Sequence, residues 1–175
     1  MTGHHPLKVD GHSIVDIRCT AEKIVEAFVA LPIKGKNGTG RRQDQEGGLL
    51  SLFRCHDGKT WTEPDVVGFF PSDKRRKYLE FSQEKGRRLF LNRTHLSSYQ
   101  SRDVKSKCFG GAIRSKYLIL SFSGLPELGD EAVCLALAVH FKWISMEEAK
   151  KIISLSDNKI FHALMKTVSR LPASN

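Results

Sequence analysis

Basic side chains are concentrated in the middle of this chain, where they could hold an anionic ligand. Residues 74–116 contain thirteen Lys or Arg against three acids, a balance of +10 in a 175-residue chain of net charge +9. Arginine holds a carboxylate or a phosphate through two parallel hydrogen bonds, and concentrated positive charge attracts small anions and nucleic acid. We therefore expect an anionic ligand in this region, with Arg75, Arg76 and Arg102 as candidate binding side chains.

A glycine pair and a strand-to-helix corner follow this basic segment. Gly110 and Gly111 permit a close approach of the backbone to a ligand or to another strand. Ser123 ends an apolar strand just before a helix, whose first amide groups favour an anion. Three acids between 127 and 131 could interact with the same amides and with the helix dipole. The alternative is therefore that this corner has a purely structural role. With the arginines, Gly110, Gly111 and Ser123 complete the predicted binding site.

A histidine offers a second chemistry. His95 lies in a polar loop near Ser98 and Cys108, and a histidine beside a hydroxyl or thiol can activate it as a nucleophile. No nucleophile-elbow sequence surrounds any of these residues. A hydrolase or transferase that uses His95 with Ser98 or Cys108 therefore remains an alternative, and no residue is predicted to be catalytic. The histidines show no H-E-x-x-H spacing, so no metal site is expected.

Nucleic-acid binding is the remaining alternative for the basic segment. Cations in the first turn of a helix oppose the helix dipole, which hints at an anionic partner for residues 74–77. The spacing of Arg76 and Glu80 also suits ion pairing on a solvated helix face. Aromatic residues that would stack on bases are not interleaved with the cations. A small anionic molecule is the favoured partner, and we expect a non-enzymatic ligand-binding or sensory domain.

Length and composition predict one domain over residues 1–175. Apolar residues make up 40% and charged residues 27% of the chain, which is typical of a globular protein. The four cysteines are widely spaced, and neither a signal peptide nor a membrane-spanning stretch is visible, so we expect a soluble cytoplasmic protein. Within the domain, residues 1–13 are expected to be loose and 34–48 to form a flexible glycine-rich loop. Residues 144–175 are expected to form a helical tail packed on the core.

The hydrophobic periodicity predicts an α/β fold of the α+β type, with an antiparallel sheet of about five strands flanked by helices. Strands are expected near residues 14–19, 49–55, 59–68, 109–114 and 117–123. Helices are expected at 21–31 with Thr20 as N-cap, at 72–90, from 126 to about 141, from 146 to 154 and at 157–170. Asp57-Gly58 marks a hairpin turn, and Ser145 with Glu148 forms a capping box.

Several short motifs resemble one known family. Gly110-Gly111, Ser123-Gly124, the helix start Asp130-Glu131-Ala132 and the apolar run to Val139 follow in the order found in the small haem-binding sensor and glycolate-operon accessory proteins (HbpS/GlcG-like, haem-degrading-domain proteins). Upstream, the hairpin around Asp57-Gly58 and the lysine-rich helix at 74–90 extend the resemblance over about residues 47–143. The resemblance implies a profilin-like fold and homo-oligomers, and it makes haem a possible cofactor.

Overall fold

A computed structural model describes residues 7–36 and 38–170 of the chain. The strands within these residues are β1 (Lys8–Val9), β2 (His12–Ser13), β3 (Glu46–Arg54), β4 (Asp65–Phe69), β5 (Ala112–Arg114) and β6 (Leu118–Ser123). The α-helices are α1 (Ile14–Val29), α2 (Arg75–Leu91), α3 (Glu127–His140), α4 (Met146–Ser156) and α5 (Ile160–Val168), with short 3-10 helices at Ser72–Lys74 and Ser98–Ser101. The predicted loose N-terminus and the end of the predicted tail lie partly outside the described residues, at 1–6 and 171–175.

The main sheet has four antiparallel strands in the order β4-β3-β6-β5, and β1 pairs only with β2. Side chains of β6 alternate between its two faces, as the pleat requires. Leu118, Leu120 and Phe122 face the core formed with α1 and α3, whereas Ile119 and Ser121 face α2. The predicted α+β architecture with an antiparallel sheet flanked by helices is confirmed, with four strands in the main sheet rather than about five.

The prediction of a strand at residues 14–19 is wrong, because these residues form the first part of α1. Ser13 caps the helix, and its hydroxyl accepts a hydrogen bond from the Asp16 amide at 3.1 Å. Thr20, the expected N-cap, lies inside the helix. Ile17 and Ala21 are buried on the same stripe as the later apolar residues of α1, so the helical period governs the whole segment.

Helix α2 lies alone on the second face of the sheet and is held close to it. Gly86 faces Phe53 of β3, and a Cβ at Gly86 would lie 2.1 Å from the Phe53 ring. The Ser82 hydroxyl is 2.9 Å from the Ser51 hydroxyl, and the Ser121 hydroxyl donates to the Ser82 carbonyl at 2.6 Å. Because these contacts leave no room for a side chain at residue 86, they fix which face of α2 meets the sheet.

The glycine-rich segment at 34–48 is shorter than expected, since β3 already begins at Glu46. Its described part is tied to the body of the protein. Arg41 donates to the carbonyl of Val29 at 3.3 Å, and the Gln45 side chain accepts from the Arg42 amide at 2.8 Å. These bonds place Arg42 and Gln45 near the first turns of α2.

The C-terminal helices follow the expected local signals. Ser145 and Glu148 form the predicted capping box at the start of α4. Helix α5 packs against α3 and α1 through residues that include Phe161 and Leu164. Within the described residues, no helix combines the length and the apolar character needed to cross a bilayer.

Candidate functional site

A cavity of about 320 Å³ opens between α2 and the corner where β6 leads into α3. This volume is at the lower end of the range for small-molecule sites, about 300–1,000 Å³. Cationic, aromatic and polar side chains share the lining, which is formed by Arg42, Gln45, Lys77, Tyr78, Phe81, Lys85, Phe109, Ser123, Gly124, Leu125, Glu127 and Asp130.

A buried ion pair forms one wall of this cavity. Lys85 of α2 and Asp130 of α3 are each only 2% exposed, and the Lys85 Nζ lies 2.7 Å from the Asp130 Oδ2. The Lys85 Nζ also donates to the carbonyl of Phe122 at 2.9 Å, and the Leu125 amide donates to the Asp130 Oδ1 at 2.9 Å. An ammonium group has three donors. The third therefore has no acceptor among the described residues.

Burial raises the pKa of Asp130 to about 7, although the adjacent Lys85 ammonium and the Leu125 amide oppose the rise. Desolvation disfavours the charged form of a carboxyl group, and this carboxyl is shielded from solvent on all sides. A proton can therefore be exchanged at Asp130 near neutral pH, in direct contact with a cavity-lining cation.

Tyr78, which also lines the cavity, carries a second buried polar group without a partner among the described residues, its hydroxyl. Tyr78 lies two turns before Lys85 on the same face of α2 and is 6% exposed. Its ring packs edge to face against Phe70 with centroids 5.3 Å apart, but within residues 7–36 and 38–170 its hydroxyl has no hydrogen-bond partner. Burial raises the pKa of Tyr78, so the hydroxyl stays protonated and can act as a donor.

Glu127 gathers two of the predicted site residues at the mouth of the cavity. Its carboxylate accepts from the Arg102 guanidinium at 2.7 and 2.9 Å and from the Gly110 amide at 2.9 Å. Partial burial acts to raise the pKa of Glu127, but the bonds from Arg102 and Gly110 outweigh it, so the pKa is lowered. Glu127 is therefore an anion at neutral pH, and Arg102 is already paired with it.

Gly111 lies directly against the buried ion pair. A Cβ at this position would be 2.6 Å from the Asp130 Cβ and 2.8 Å from the Lys85 Nζ, and its φ is +117°. Only glycine adopts such a backbone angle without strain. The predicted close approach at the glycine pair is therefore present, and the atoms that approach are those of Lys85 and Asp130. Ser123, also predicted, lines the cavity itself.

Arg75 and Arg76 are placed differently. Both are exposed at the start of α2, and neither contributes to the lining of the cavity. Arg76 pairs with Glu80 at 2.9 Å on the solvated face, as the i,i+4 spacing suggested. The cations that do line the cavity are Lys77, Lys85 and Arg42.

Other cations of the basic segment hold the backbone. Arg88 donates to the carbonyls of Ser98, Ser101 and Phe109, and Arg114 donates to those of Leu89, Asn92 and His95. Arg114 thereby satisfies carbonyls around the C-terminal end of α2, which no helical amide can reach. Part of the positive charge is therefore structural, and nucleic-acid binding by the remaining cations stays a prediction.

The alternative nucleophile pair is not assembled in the described residues. The Nδ1 of His95 is buried without a hydrogen-bond partner. The Ser98 hydroxyl accepts from the Ala112 amide at 3.0 Å, and the Cys108 thiol points to the carbonyl of Ser106 at 3.7 Å. No hydrogen bond joins His95 to Ser98 or Cys108, and catalysis by these residues stays a prediction.

Lys85, Tyr78 and Asp130 are the site residues that sequence reasoning missed. The sequence predicts no binding role for Lys85 or Tyr78, and it places Asp130 only as an acid at the start of α3. The available signal was the position of Lys85, three residues after Ser82 and one before Gly86, which places a lysine on the buried stripe.

A second buried carboxylate, Glu131, lies beside the site but faces away from it. The hydroxyls of Ser97 and Ser156 each donate to Glu131 at 2.5 Å, and the Asn158 amide donates at 3.0 Å. Burial raises the pKa of Glu131, and these three neutral donors oppose the rise. Every contact of this carboxylate is internal, so it joins α3 to the Ser98–Ser101 turn and to the end of α4.

The cavity does not fit the haem group that the family resemblance implies. Among the described residues, its lining contains no His, Cys or Met, which are common axial ligands of haem iron, and its volume is small for a porphyrin. In the described parts of the chain, no group of three or more His, Cys, Asp or Glu side chains is arranged to hold a metal ion.

Comparison with known proteins adds no assignment. No protein-family model, no curated protein and no solved structure matches this chain. The resemblance to the haem-binding sensor family therefore stays a prediction, and the chemistry of the cavity is the basis on which a function can be argued.

Proposed function

We propose that this protein binds a small anionic molecule in the cavity between α2 and the β6–α3 corner. One observation carries the proposal: Tyr78 and Lys85, which both line the cavity, each carry a buried donor that has no acceptor among the described residues, the Tyr78 hydroxyl and the third Lys85 N–H. A buried donor left without an acceptor costs about 1–3 kcal/mol. An anion seated between α2 and the corner would satisfy both.

The charges around the cavity support the same ligand class. Lys77 forms no ion pair with another described residue, and its Nζ lies 5.8 Å from the Phe81 ring centre at the cavity wall. Arg42 pairs only with Asp44, at 3.1 Å, and that pair is well exposed. Such surface pairs contribute little energy and rearrange readily. Lys77 and Arg42 can therefore attract an anion to the mouth while Tyr78 and Lys85 bind it inside.

The matched variants Tyr78→Phe and Arg75→Gln/Arg76→Gln test this site against the one expected from sequence. Thermal unfolding is measured with a panel of carboxylate and phosphate probes at low salt. We expect at least one probe to stabilise the wild type, and we expect Tyr78→Phe to weaken that probe's affinity roughly tenfold, since a hydrogen bond to a charged group contributes about 1.5–3 kcal/mol. The double arginine variant should respond like the wild type.

Two results would oppose the proposal. One is a wild type that no anionic probe stabilises. The other is a probe whose effect survives Tyr78→Phe in full but disappears in the double arginine variant, which would move the site to the exposed start of α2.

A further inference from the structure

The arrangement of charges in the cavity limits the charge of its ligand. Two of the cations that line or border it already face a carboxylate, since Lys85 pairs with Asp130 and Arg102 with Glu127. Lys77 is the one lining cation without an ion pair to a described residue. A doubly charged phosphate would therefore be repelled by two buried or half-buried carboxylates, Asp130 and Glu127, and attracted by one unpaired cation, Lys77. A monoanion fits this balance better.

Another part of the lining of the cavity is aromatic and aliphatic. The rings of Phe81 and Phe109 meet edge to face with centroids 5.5 Å apart, and Leu125 completes this wall. Aromatic rings favour offset or edge-to-face contacts with another ring. A ligand with a carboxylate at Tyr78 and Lys85 and a planar ring against Phe81 and Phe109 would use both walls.

An incoming carboxylate would share the Lys85 ammonium with Asp130. The ionisable groups that face Asp130 are Lys85 and Tyr78 from α2 and Glu127 and Cys134 from α3. Of the cations in the described part of the chain, Lys85 alone is in direct contact with Asp130. Two carboxylates around one buried cation cannot both stay ionised at low cost, and the group that already titrates near neutral pH accepts the proton.

We propose that the site binds an aromatic monocarboxylate together with one proton, which Asp130 accepts. The inference rests on the proposed anion site and specifies its ligand class and its dependence on pH. Binding neutralises Asp130 and leaves Lys85 to pair with the ligand, so the Lys85 ammonium faces one negative charge before and after the ligand enters.

Calorimetric titration of the full chain with benzoate tests this inference. Repeating the titration in buffers of different ionisation enthalpy counts the protons taken up. Above about pH 7, we expect uptake of close to one proton per benzoate and an affinity that falls about tenfold per pH unit. Cyclohexanecarboxylate carries the same charge without the aromatic ring and should bind at least severalfold more weakly. Inorganic phosphate should bind weaker still.

The outcomes separate this inference from the anion site itself. If phosphate binds as tightly as benzoate and depends on Tyr78, or if benzoate binds without proton uptake, the anion site stands and the ligand class or the proton linkage proposed here is wrong. If no anionic probe binds, both proposals fail.

The variant Asp130→Asn gives an independent check on the role of Asp130. We expect it to bind benzoate with an affinity that no longer changes between about pH 7 and about pH 9, because the asparagine cannot take up a proton. A pH dependence equal to that of the wild type would overturn the assignment to Asp130. Should the variant fail to fold, the proton count of the wild type in the buffer series decides the question.

Discussion

Two neighbouring carboxylates in the first turns of α3 differ in what surrounds them. Glu131 is enclosed by three neutral donors from Ser97, Ser156 and Asn158, and its hydrogen bonds all stay within the protein. Asp130 faces a cation in the wall of a cavity, where the Tyr78 hydroxyl and one donor of Lys85 remain unused. A saturated buried network stabilises a fold, whereas an incomplete one beside a cavity indicates a binding site.

The variant with the largest expected effect is Lys85→Met, which leaves Asp130 without its cation. Removing one partner of a buried pair typically costs about 3–5 kcal/mol, because the other charge is left uncompensated. We expect a loss of this size in urea unfolding above about pH 7, because without Lys85 the buried Asp130 must either hold a proton at that pH or stay charged without a partner.

The double variant Lys85→Met/Asp130→Leu is the control for Lys85→Met, and it should regain most of the lost stability. Lys77→Met, at the rim of the same cavity, should change stability by less than about 0.5 kcal/mol. If Lys85→Met were as mild as Lys77→Met, the ion pair would not be the buried element that we describe.

On the Glu131 side we expect a somewhat smaller loss. Glu131→Leu leaves the hydroxyls of Ser97 and Ser156 and the amide of Asn158 without their acceptor, which should cost about 3 kcal/mol in urea unfolding. Glu131→Gln keeps an acceptor and should recover much of this loss. Neither substitution should alter anion binding once the protein is folded. If the Glu131→Gln protein were stable but no longer bound the anion, Glu131 would also contribute to binding, and the proposed difference between the two carboxylates would be wrong.

These two carboxylates also show how far the sequence predicts the structure. The local sequence was sufficient to predict the capping box of Ser145 and Glu148, which lies at the start of α4 as expected. The burial of Lys85 depends on Asp130, which is 45 residues away in the chain, and lysine is otherwise among the most exposed residues. No local pattern contains that partnership, so the expected site was assigned to the more conspicuous Arg75 and Arg76.

The expected strand at 14–19 failed for a different physical reason. Its alternating apolar residues fit a short strand and a helix equally well, and the choice depends on what precedes them. Ser13 caps a helix there, and Ile17 joins the buried stripe of α1. A close approach at Gly111 could be expected from the glycine itself, whereas the approaching atoms of Lys85 and Asp130 could not be named, and the role of Gly110 and Gly111 in binding stays a prediction.

A further effect that we expect is a pH dependence of stability. An acid whose pKa is higher in the folded chain than in the unfolded chain binds its proton more tightly when folded, so low pH favours the fold. Burial raises the pKa of Asp130 from 3.8 to about 7 and also raises that of Glu131. Stability should therefore decline by roughly 3 kcal/mol as the pH rises from about 4 to about 7, given about 1.4 kcal/mol per pKa unit.

Urea unfolding across this pH range, compared with that of Asp130→Asn, isolates the contribution of Asp130. The variant should show a flatter profile over the same range, whatever its absolute stability. A decline as steep in Asp130→Asn as in the wild type would assign the effect to Glu131 or to other groups.

The most direct test of the binding site is a crystal structure of the protein with 4-bromobenzoate, in which anomalous scattering locates the bromine. We expect the carboxylate within hydrogen-bond distance of the Tyr78 hydroxyl and the Lys85 Nζ, with the brominated ring against Phe81 and Phe109. A ligand found instead beside the exposed Arg75 and Arg76, with the cavity between α2 and α3 filled only by water, would contradict the assignment.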